Sequence, residues 1–463
     1  MSAFKIDSEL KNAFLVNWGQ IEGRLDPSAY HFERLASVAR IKDSGVELTP
    51  LKYAVSFKKE IVSVADNHVV YLGLENIVSN TGDYIPTESK EEFSSAIIFR
   101  KGDVLFPKLR PALNKVYYAE FNGVCSTEFH ILRSHLVDNR YLAYFLRSNL
   151  VVSQTKRLTS GNTLPRLQTE DIKNLLIPIK SPEVQEKIIQ LMEGSYAAKC
   201  IKEAQATEQI SRIDKYLLTE LGISVPEADD ALEHRMFTVN FSESSGKRFD
   251  PLFFYKNFLD QVPAGRFPVE PLSRHVAYFQ TGFAAGKSDQ STDSTEVIQL
   301  RPTNLTDDRE LVFDRNVYIH RDALTKRPGD IMQPGEVLFN NTNSQELVGK
   351  SVLFDLDDEY FCSNHMTRIG TAGSLHPDYL AHLLNLYQRQ KVFFRICTNW
   401  NNQSGANNGV LSGLLIPIPP IDQQKAIART ITDLRSSAKK LRQEAKDELE
   451  KARLEVERMI LEE

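Results

Sequence analysis

Long apolar runs are missing from this 463-residue chain: none approaches the ~20 residues that a helix needs to cross a bilayer. The stretch from Met1 to Lys11 has no apolar core of a secretory signal, so a cytoplasmic protein is expected. Cysteine is scarce. Cys125, Cys200, Cys362 and Cys397 have no CxxC spacing and no accompanying histidine cluster, so they are expected to be reduced, buried thiols rather than disulfides or metal ligands. A strong charge of one sign is also missing. The net charge of −5 rules out a bulk polycation, and any nucleic-acid binding must use local patches or a partner. What is present, 41% hydrophobic and 25% charged residues, suits ordinary globular cores, and the length suggests two to four domains.

Catalytic signatures are missing as well. A DNA methyltransferase needs a cofactor loop and an Asn/Asp-Pro-Pro-Tyr/Phe pocket for a flipped base. The nearest strings, Asp26-Pro27-Ser28-Ala29-Tyr30 and Asp250-Pro251-Leu252-Phe253-Phe254, lack the second proline and read as strand or turn entries. No phosphate loop of the Gly-x-x-x-x-Gly-Lys-Ser/Thr type occurs. Asp307-Asp308 and Asp357-Asp358-Glu359 are adjacent acids in apparent turns, expected to be solvated rather than to hold a nuclease metal. The ten histidines show no ligand spacing; His130 and His365 fall near equivalent places of a repeat, where core or surface roles are expected.

That repeat dominates the chain. Leu176-Ile177-Pro178-Ile179 returns as Leu415-Ile416-Pro417-Ile418, and Gln185, Lys187 and Ile189 as Gln423, Lys425 and Ile427. Upstream, Arg24-Leu25-Asp26-Pro27 returns as Arg248-Phe249-Asp250-Pro251, Gly102-Asp103-Val104-Leu105-Phe106 as Gly335-Glu336-Val337-Leu338-Phe339, Cys125-Ser126 as Cys362-Ser363, and Tyr141-Leu142-Ala143 as Tyr379-Leu380-Ala381. Landmarks repeated in order at so long a period mean a duplicated domain plus helix, not a solenoid. The slowly changing offset places small insertions in loops. Short apolar runs such as Ala96-Ile97-Ile98-Phe99 and Val104-Leu105-Phe106 read as strands, and residues 141–146 as a short helix.

Two long helices follow the repeats. In the second, Ile427, Ile431, Leu434, Ala438, Leu441 and Ala445, then Leu449, Ala452, Val456 and Met459, form an apolar seam at coiled-coil spacing. The first has a thinner seam of Met192, Tyr196, Ile210, Ile213, Leu217 and Leu221. Each seam is expected to cover the other, the alternative being a helix lying across a domain surface. A helix of about 40 residues is ~60 Å long. Pro182 and Pro420 sit at the helix starts, where a missing N–H costs little. The expected layout is domain 1 over 1–165, a helical region over 166–225, a connector over 226–245, domain 2 over 246–408 and a second helical region over 409–463.

Polar and basic loops recur at matching places. After Phe106 come Lys108, Arg110, Asn114 and Lys115; after Phe339 come Asn341, Asn343, Gln345 and Lys350. Before the helices come Ser160, Asn162 and Arg166 in one copy and Asn401, Asn402 and Gln403 in the other. Asn and Gln can read adenine edges, Arg and Lys guanine or phosphate, Ser either. The same composition also suits plain turns; its occurrence in both copies favours a DNA interface.

At these residues the chain resembles the specificity (S) subunit of Type I restriction-modification enzymes, over its whole length. The resemblance rests on Ser160-Gly161, Leu164-Pro165, Leu167, Ile172, Leu176-Ile177-Pro178-Ile179 and Gln185-Glu186-Lys187-Ile188, on Gly102 to Phe106 with its second copy, and on the Arg24 to Pro27 opening. Departures are Ser181-Pro182 for Pro-Pro, Gln423-Gln424 for Glu-Gln, and an Asn-rich second loop without the spaced leucines before Leu411. The resemblance implies an α+β fold: two duplicated mixed α/β target recognition domains joined by two long antiparallel coiled-coil helices. It implies a non-catalytic subunit for phage defence that reads a bipartite double-stranded DNA target, docks two modification (methyltransferase) subunits and accepts restriction (motor-nuclease) subunits. S-adenosylmethionine would belong to the modification partner, leaving this chain without a cofactor. Two rivals stay open: a coiled-coil interaction scaffold that binds no DNA, and an enzyme with an unrecognised site.

Overall fold

The computed structural model describes residues 26–63, 70–86, 95–160, 164–225, 238–244, 254, 262–400 and 403–462. The chain divides into two compact units, residues 1–203 with 442–463, and residues 204–441. The division passes through both long helices, so each unit owns half of each.

In the first unit, β2 (Val55–Lys58), β9 (Phe129–Ser134), β6 (Val104–Pro107) and β7 (Tyr117–Tyr118) form an antiparallel sheet in that order. A second sheet runs β3 (Ile61–Val62), β5 (Ala96–Phe99), β8 (Gly123–Cys125), β4 (Tyr71–Leu72), with β4 parallel to β8. The helix Asn139–Arg147 buries Tyr141, Leu142, Phe145 and Leu146, as their helical spacing predicts. Asp138 caps it, its carboxylate accepting from Arg140 N at 2.7 Å. β1 (Leu48–Pro50) pairs with β12 (Leu176–Pro178), so the Leu-Ile-Pro string is a closing strand just ahead of the long helix.

The second unit repeats this plan. β14 (Val276–Thr281), β22 (Met366–Thr371), β18 (Glu336–Asn340) and β20 (Ser351–Phe354) form the first sheet, and β13 (Val269–Pro271) pairs with β25 (Leu415–Pro417). Its second sheet runs β15 (Gln290–Ser291), β17 (Val317–Ile319), β16 (Val297–Leu300), β21 (Tyr360–Cys362), with β16 parallel to β21.

The repeated sequence landmarks mark physical devices. Gly102 and Gly335 have φ of 87° and 88°, a left-handed turn that a side chain would strain. The acid that follows is buried in each unit and ties the turn to a neighbouring strand. Asp103 accepts from Arg100 N at 2.8 Å and Arg133 Nε at 2.7 Å; Glu336 accepts from Gln333 N at 3.0 Å and Arg368 Nε at 2.8 Å. Tyr141 donates to Pro178 O and Tyr379 to Pro417 O, both at 2.9 Å.

A glutamine then locks each long helix to its unit. Gln185 Oε1 accepts from Asp138 N at 2.7 Å and its Nε2 donates to Lys180 O at 2.7 Å. Gln424 accepts from His376 N at 2.8 Å and donates to Pro419 O at 2.8 Å. The counterpart of Gln185 is therefore Gln424, one residue beyond the Gln423 expected from sequence. One step along a helix turns a side chain by about 100°, and only Gln424 faces inward. His130 and His365 are not counterparts either: Phe106 faces His130 across the ladder, whereas Phe339 faces Thr367.

The first long helix is Pro182–Leu221 and the second Ile421–Leu461, 40 and 41 residues. In the first unit Ile188, Ile189 and Met192 share a core with Leu449, Ala452, Val456 and Ile460. In the second, Ile213, Leu217 and Leu221 share one with Ile427, Ala428 and Ile431. The start of each helix thus meets the end of the other, an antiparallel pairing. Lys202 adds ion pairs to Glu444 at 3.2 Å and Glu448 at 2.7 Å. All four cysteines are free. Cys125, Cys362 and Cys397 are buried as expected, but Cys200 is exposed on the first long helix. Burial pushes the Cys125 and Cys362 thiols up to about 12, which makes them poor nucleophiles.

Candidate nucleic-acid interface

The two stretches singled out in the first unit meet on one surface. The loop after β6 is stitched to the hairpin of β10 (Thr159–Ser160) and β11 (Arg166–Leu167): Leu167 N donates to Lys108 O at 2.9 Å, Arg110 N to Pro165 O at 2.8 Å, and Leu109 bridges Arg166. Arg110, Ser160 and Arg166 are exposed there. Arg110, at φ 48°, turns the chain sharply into Pro111. Ser160 Oγ accepts from Gln168 Nε2 at 2.8 Å. Arg166 reaches both oxygens of Glu128, with Nη2 2.9 Å from Oε1 and Nε 3.1 Å from Oε2.

Three other candidates of this unit turn inward. Asn114, 5% exposed, sits at φ 50° and donates to Arg147 O at 2.8 Å. Lys115 Nζ donates to Leu74 O at 2.8 Å. Lys108 is half-buried, its ammonium donates to Thr127 O, and burial pulls it below its ordinary pKa. These side chains tie the loop to carbonyls of neighbouring segments, at Arg147, Leu74 and Thr127. Lys156 and Arg157 both reach Glu33, whose carboxyl their hydrogen bonds hold down to about 2. Asn162 lies outside the described residues.

The second unit builds the same junction. β19 (Thr342–Asn343) pairs with β24 (Gln403–Gly405), which pairs with β23 (Thr398–Trp400), and Ala406 N donates to Asn341 O at 2.9 Å. Ala406 thereby takes the place of Leu167, so the missing leucine leaves the backbone junction unchanged. Gln403 is exposed. Asn343 is half-buried, with its Oδ1 accepting from Ser344 N at 2.8 Å. Asn341 and Lys350 are buried and Gln345 is half-buried. Asn341, 6% exposed, donates to Thr367 Oγ1 at 2.9 Å; Gln345 donates to Phe394 O at 2.6 Å; buried Lys350 is ion-paired with Asp307. Asn401 and Asn402 lie outside the described residues.

Sequence reading passed over Trp400, which ends β23 and is 51% exposed. The available signal was a tryptophan, one of only two in the chain, standing in a polar run. Among the described residues, no three or more His, Cys, Asp and Glu are grouped to hold a metal ion, and no helix is long and apolar enough to cross a membrane.

Two repeats sharing long paired helices, each presenting a two-loop polar surface, define a duplicated recognition scaffold. The sequence model of the Type I restriction modification DNA specificity domain matches residues 48–228 and 315–451, more than half of the chain, and the chain belongs to that family. It is 32% identical over 101 residues to the type I MjaX specificity subunit of Methanocaldococcus jannaschii, covering 21% of this chain and 24% of that protein. It is 25% identical over 128 residues to the Type I restriction enzyme EcoDI specificity subunit of Escherichia coli, covering 28% and 27%. These matches span about a quarter of each relative. The MjaVIII specificity subunit of Methanocaldococcus jannaschii aligns at 20% identity over 92% of this chain and 91% of its own length. A solved chain from work on complex assembly and conformational transition of the type I R-M system matches with TM-score 0.53 at 16% identity, over 90% of this chain and 96% of that one, in agreement on fold.

Proposed function

We propose that this chain is the sequence-reading, non-catalytic subunit of a Type I restriction-modification complex. Each unit reads one half of a bipartite duplex target. The observation that carries this is the same stitched pair of loops at the same place in both units. Arg110 and Arg166 supply guanidinium donors for guanine edges or phosphates, and Gln403 an amide suited to adenine. On DNA, Arg166 exchanges Glu128 for a phosphate or base edge. Glu128 holds the guanidinium in place until then, and an exposed pair of this kind is cheap to give up.

In this reading the paired helices dock two modification subunits, restriction subunits join that assembly, and S-adenosylmethionine is bound by the modification partner, all in the cytoplasm. The recognition domains are residues 1–165 and 246–408, with the helical regions and connector as expected from sequence. The test is methyl transfer from labelled S-adenosylmethionine to genomic DNA by the modification subunit with and without this chain. Sequence-specific transfer is expected only when both are present. Transfer by this chain alone, or the same sites modified without it, contradicts the proposal.

A further inference from the structure

We infer that Trp400 is a specificity-determining residue of the second unit and lays its indole ring against a base of the half-site which that unit reads. The inference rests on the DNA-reading role proposed above. All three residues of β23 are exposed, and Trp400 stands at its end with half of its surface in water. The strands beneath it are paired. β24 is held on both sides, by β23 and by β19, and Ser404 Oγ donates to Asn399 Oδ1 at 2.6 Å.

The ring is also seated. A β-carbon at Gly405 would come within 2.8 Å of Trp400 Cη2 and 3.3 Å of Asn341 O. Glycine at that place lets the far end of the indole lie against flat backbone while the rest of the ring stays open to solvent. A large aromatic group kept in water is unfavourable, and one already positioned loses little freedom when a partner covers it. The surroundings suit a nucleic acid: Thr398 and Gln403 beside it are exposed, polar and uncharged.

The first unit differs at the position of the glycine. Leu167 and Ala406 make the same backbone bond, so Arg166, a long cation paired with Glu128, stands where the second unit has Gly405. By the same alignment Glu128 corresponds to His365, whose carbonyl receives Asn341 N as that of Glu128 receives Lys108 N. The second unit therefore lacks this carboxylate beside the ring. One unit offers a guanidinium here and the other a flat apolar ring, which packs on a base face or a thymine methyl.

The test uses the full chain with its modification subunit and a duplex carrying the target found by methylome sequencing of cells expressing the natural protein. Trp400→Ala and Trp400→Gln are expected to lose about ten- to hundredfold discrimination at one position of one half-site, with the other half unchanged. Trp400→Phe is expected to keep most of it. The target duplex, but not a scrambled one, is expected to quench indole emission of the natural complex beyond that of the modification subunit alone, and Trp400→Phe removes that excess, since Trp18 is the only other tryptophan of this chain. Deoxyuridine in place of each thymine separates the contacts: a loss at one position identifies a methyl, and none at any position, with quenching intact, identifies a base face. Unchanged target and affinity in Trp400→Ala and Trp400→Gln overturn the inference, as does equal loss in both halves with unaltered thermal melts. If the natural complex binds no duplex selectively, the underlying DNA-reading role fails instead.

Discussion

The two units differ in ways that separate scaffold from surface. Both keep the left-handed glycine turn, the buried acid that receives an arginine, the tyrosine bonded to the closing strand and the glutamine at the helix start. The first three hold the sheet, short helix and closing strand together, and the glutamine fastens the long helix to them. They diverge where nothing needs fastening. β5 lies beside β8 in the first unit, whereas β17 lies beside β16 in the second. The exposed hairpin carries Arg166 in one and Trp400 in the other. Duplication has held the attachment constant and let the outer face change, as expected if the units share partners but read different sequences.

The acid–arginine pair offers the strongest way to break this comparison. Glu336 and Arg368 side chains are each 3% exposed, whereas Asp103 is 4% exposed but its partner Arg133 is 40% exposed. Glu336→Gln strands a buried guanidinium and is expected to cost ~3–5 kcal/mol. Asp103→Asn leaves Arg133 able to turn to water and is expected to cost about 1–2 kcal/mol. Urea melts of both variants check this; equal losses would show that burial does not set the difference.

A smaller pair of effects sharpens the shared half. Gln185→Ala and Gln424→Ala each leave buried backbone groups unsatisfied at the helix start, an expected loss of about 1–3 kcal/mol. Two of the bonds match, and Gln424 Nε2 also donates to Ser374 O at 3.0 Å, so the loss at Gln424 should equal or exceed that at Gln185. A clearly larger loss at Gln185, read from denaturant midpoints, would contradict this.

A further effect is a pH dependence centred on His130 of β9 in the first unit. Burial first, and then nearby Lys108, holds His130 down to about 4 from its ordinary 6.5. The fold therefore favours neutral imidazole. This stabilisation is complete above about 6.5 and is lost as pH falls towards 4, because the unfolded chain takes up the proton first. Thr367 holds the corresponding place in the second unit and does not titrate. Acidification across that window should weaken protection of β6 and β9 amides in hydrogen exchange more than that of β18 and β22, and His130→Thr should remove the excess.

Duplication, the strands around the glycine turn, the short helix and the two long seams were legible in the sequence because each is periodic or repeated. The surface was less legible. Asn114 and Asn341 have the residue type that reads bases, yet the same amides satisfy buried backbone and side-chain groups, and position alone does not separate the two uses. Gln423 and Gln424 differ by one helical step that only the packing resolves. Trp400 was hidden among asparagines that drew attention as hydrogen-bonding groups. Arg110, Ser160, Arg166 and Gln403 are the expected residues that stand exposed on the stitched loops.

The central claim, one half-site per unit, is tested most directly by methylome sequencing of two variants expressed with the modification subunit. One carries Arg110→Ala with Arg166→Ala, the other Trp400→Ala with Gln403→Ala. The account predicts that each variant relaxes or shifts one half of the target, a different half in each case, at ~1–3 kcal/mol of discrimination per lost base contact, and leaves the other half as it was. If either variant degrades both halves equally, or both variants alter the same half, the claim is contradicted.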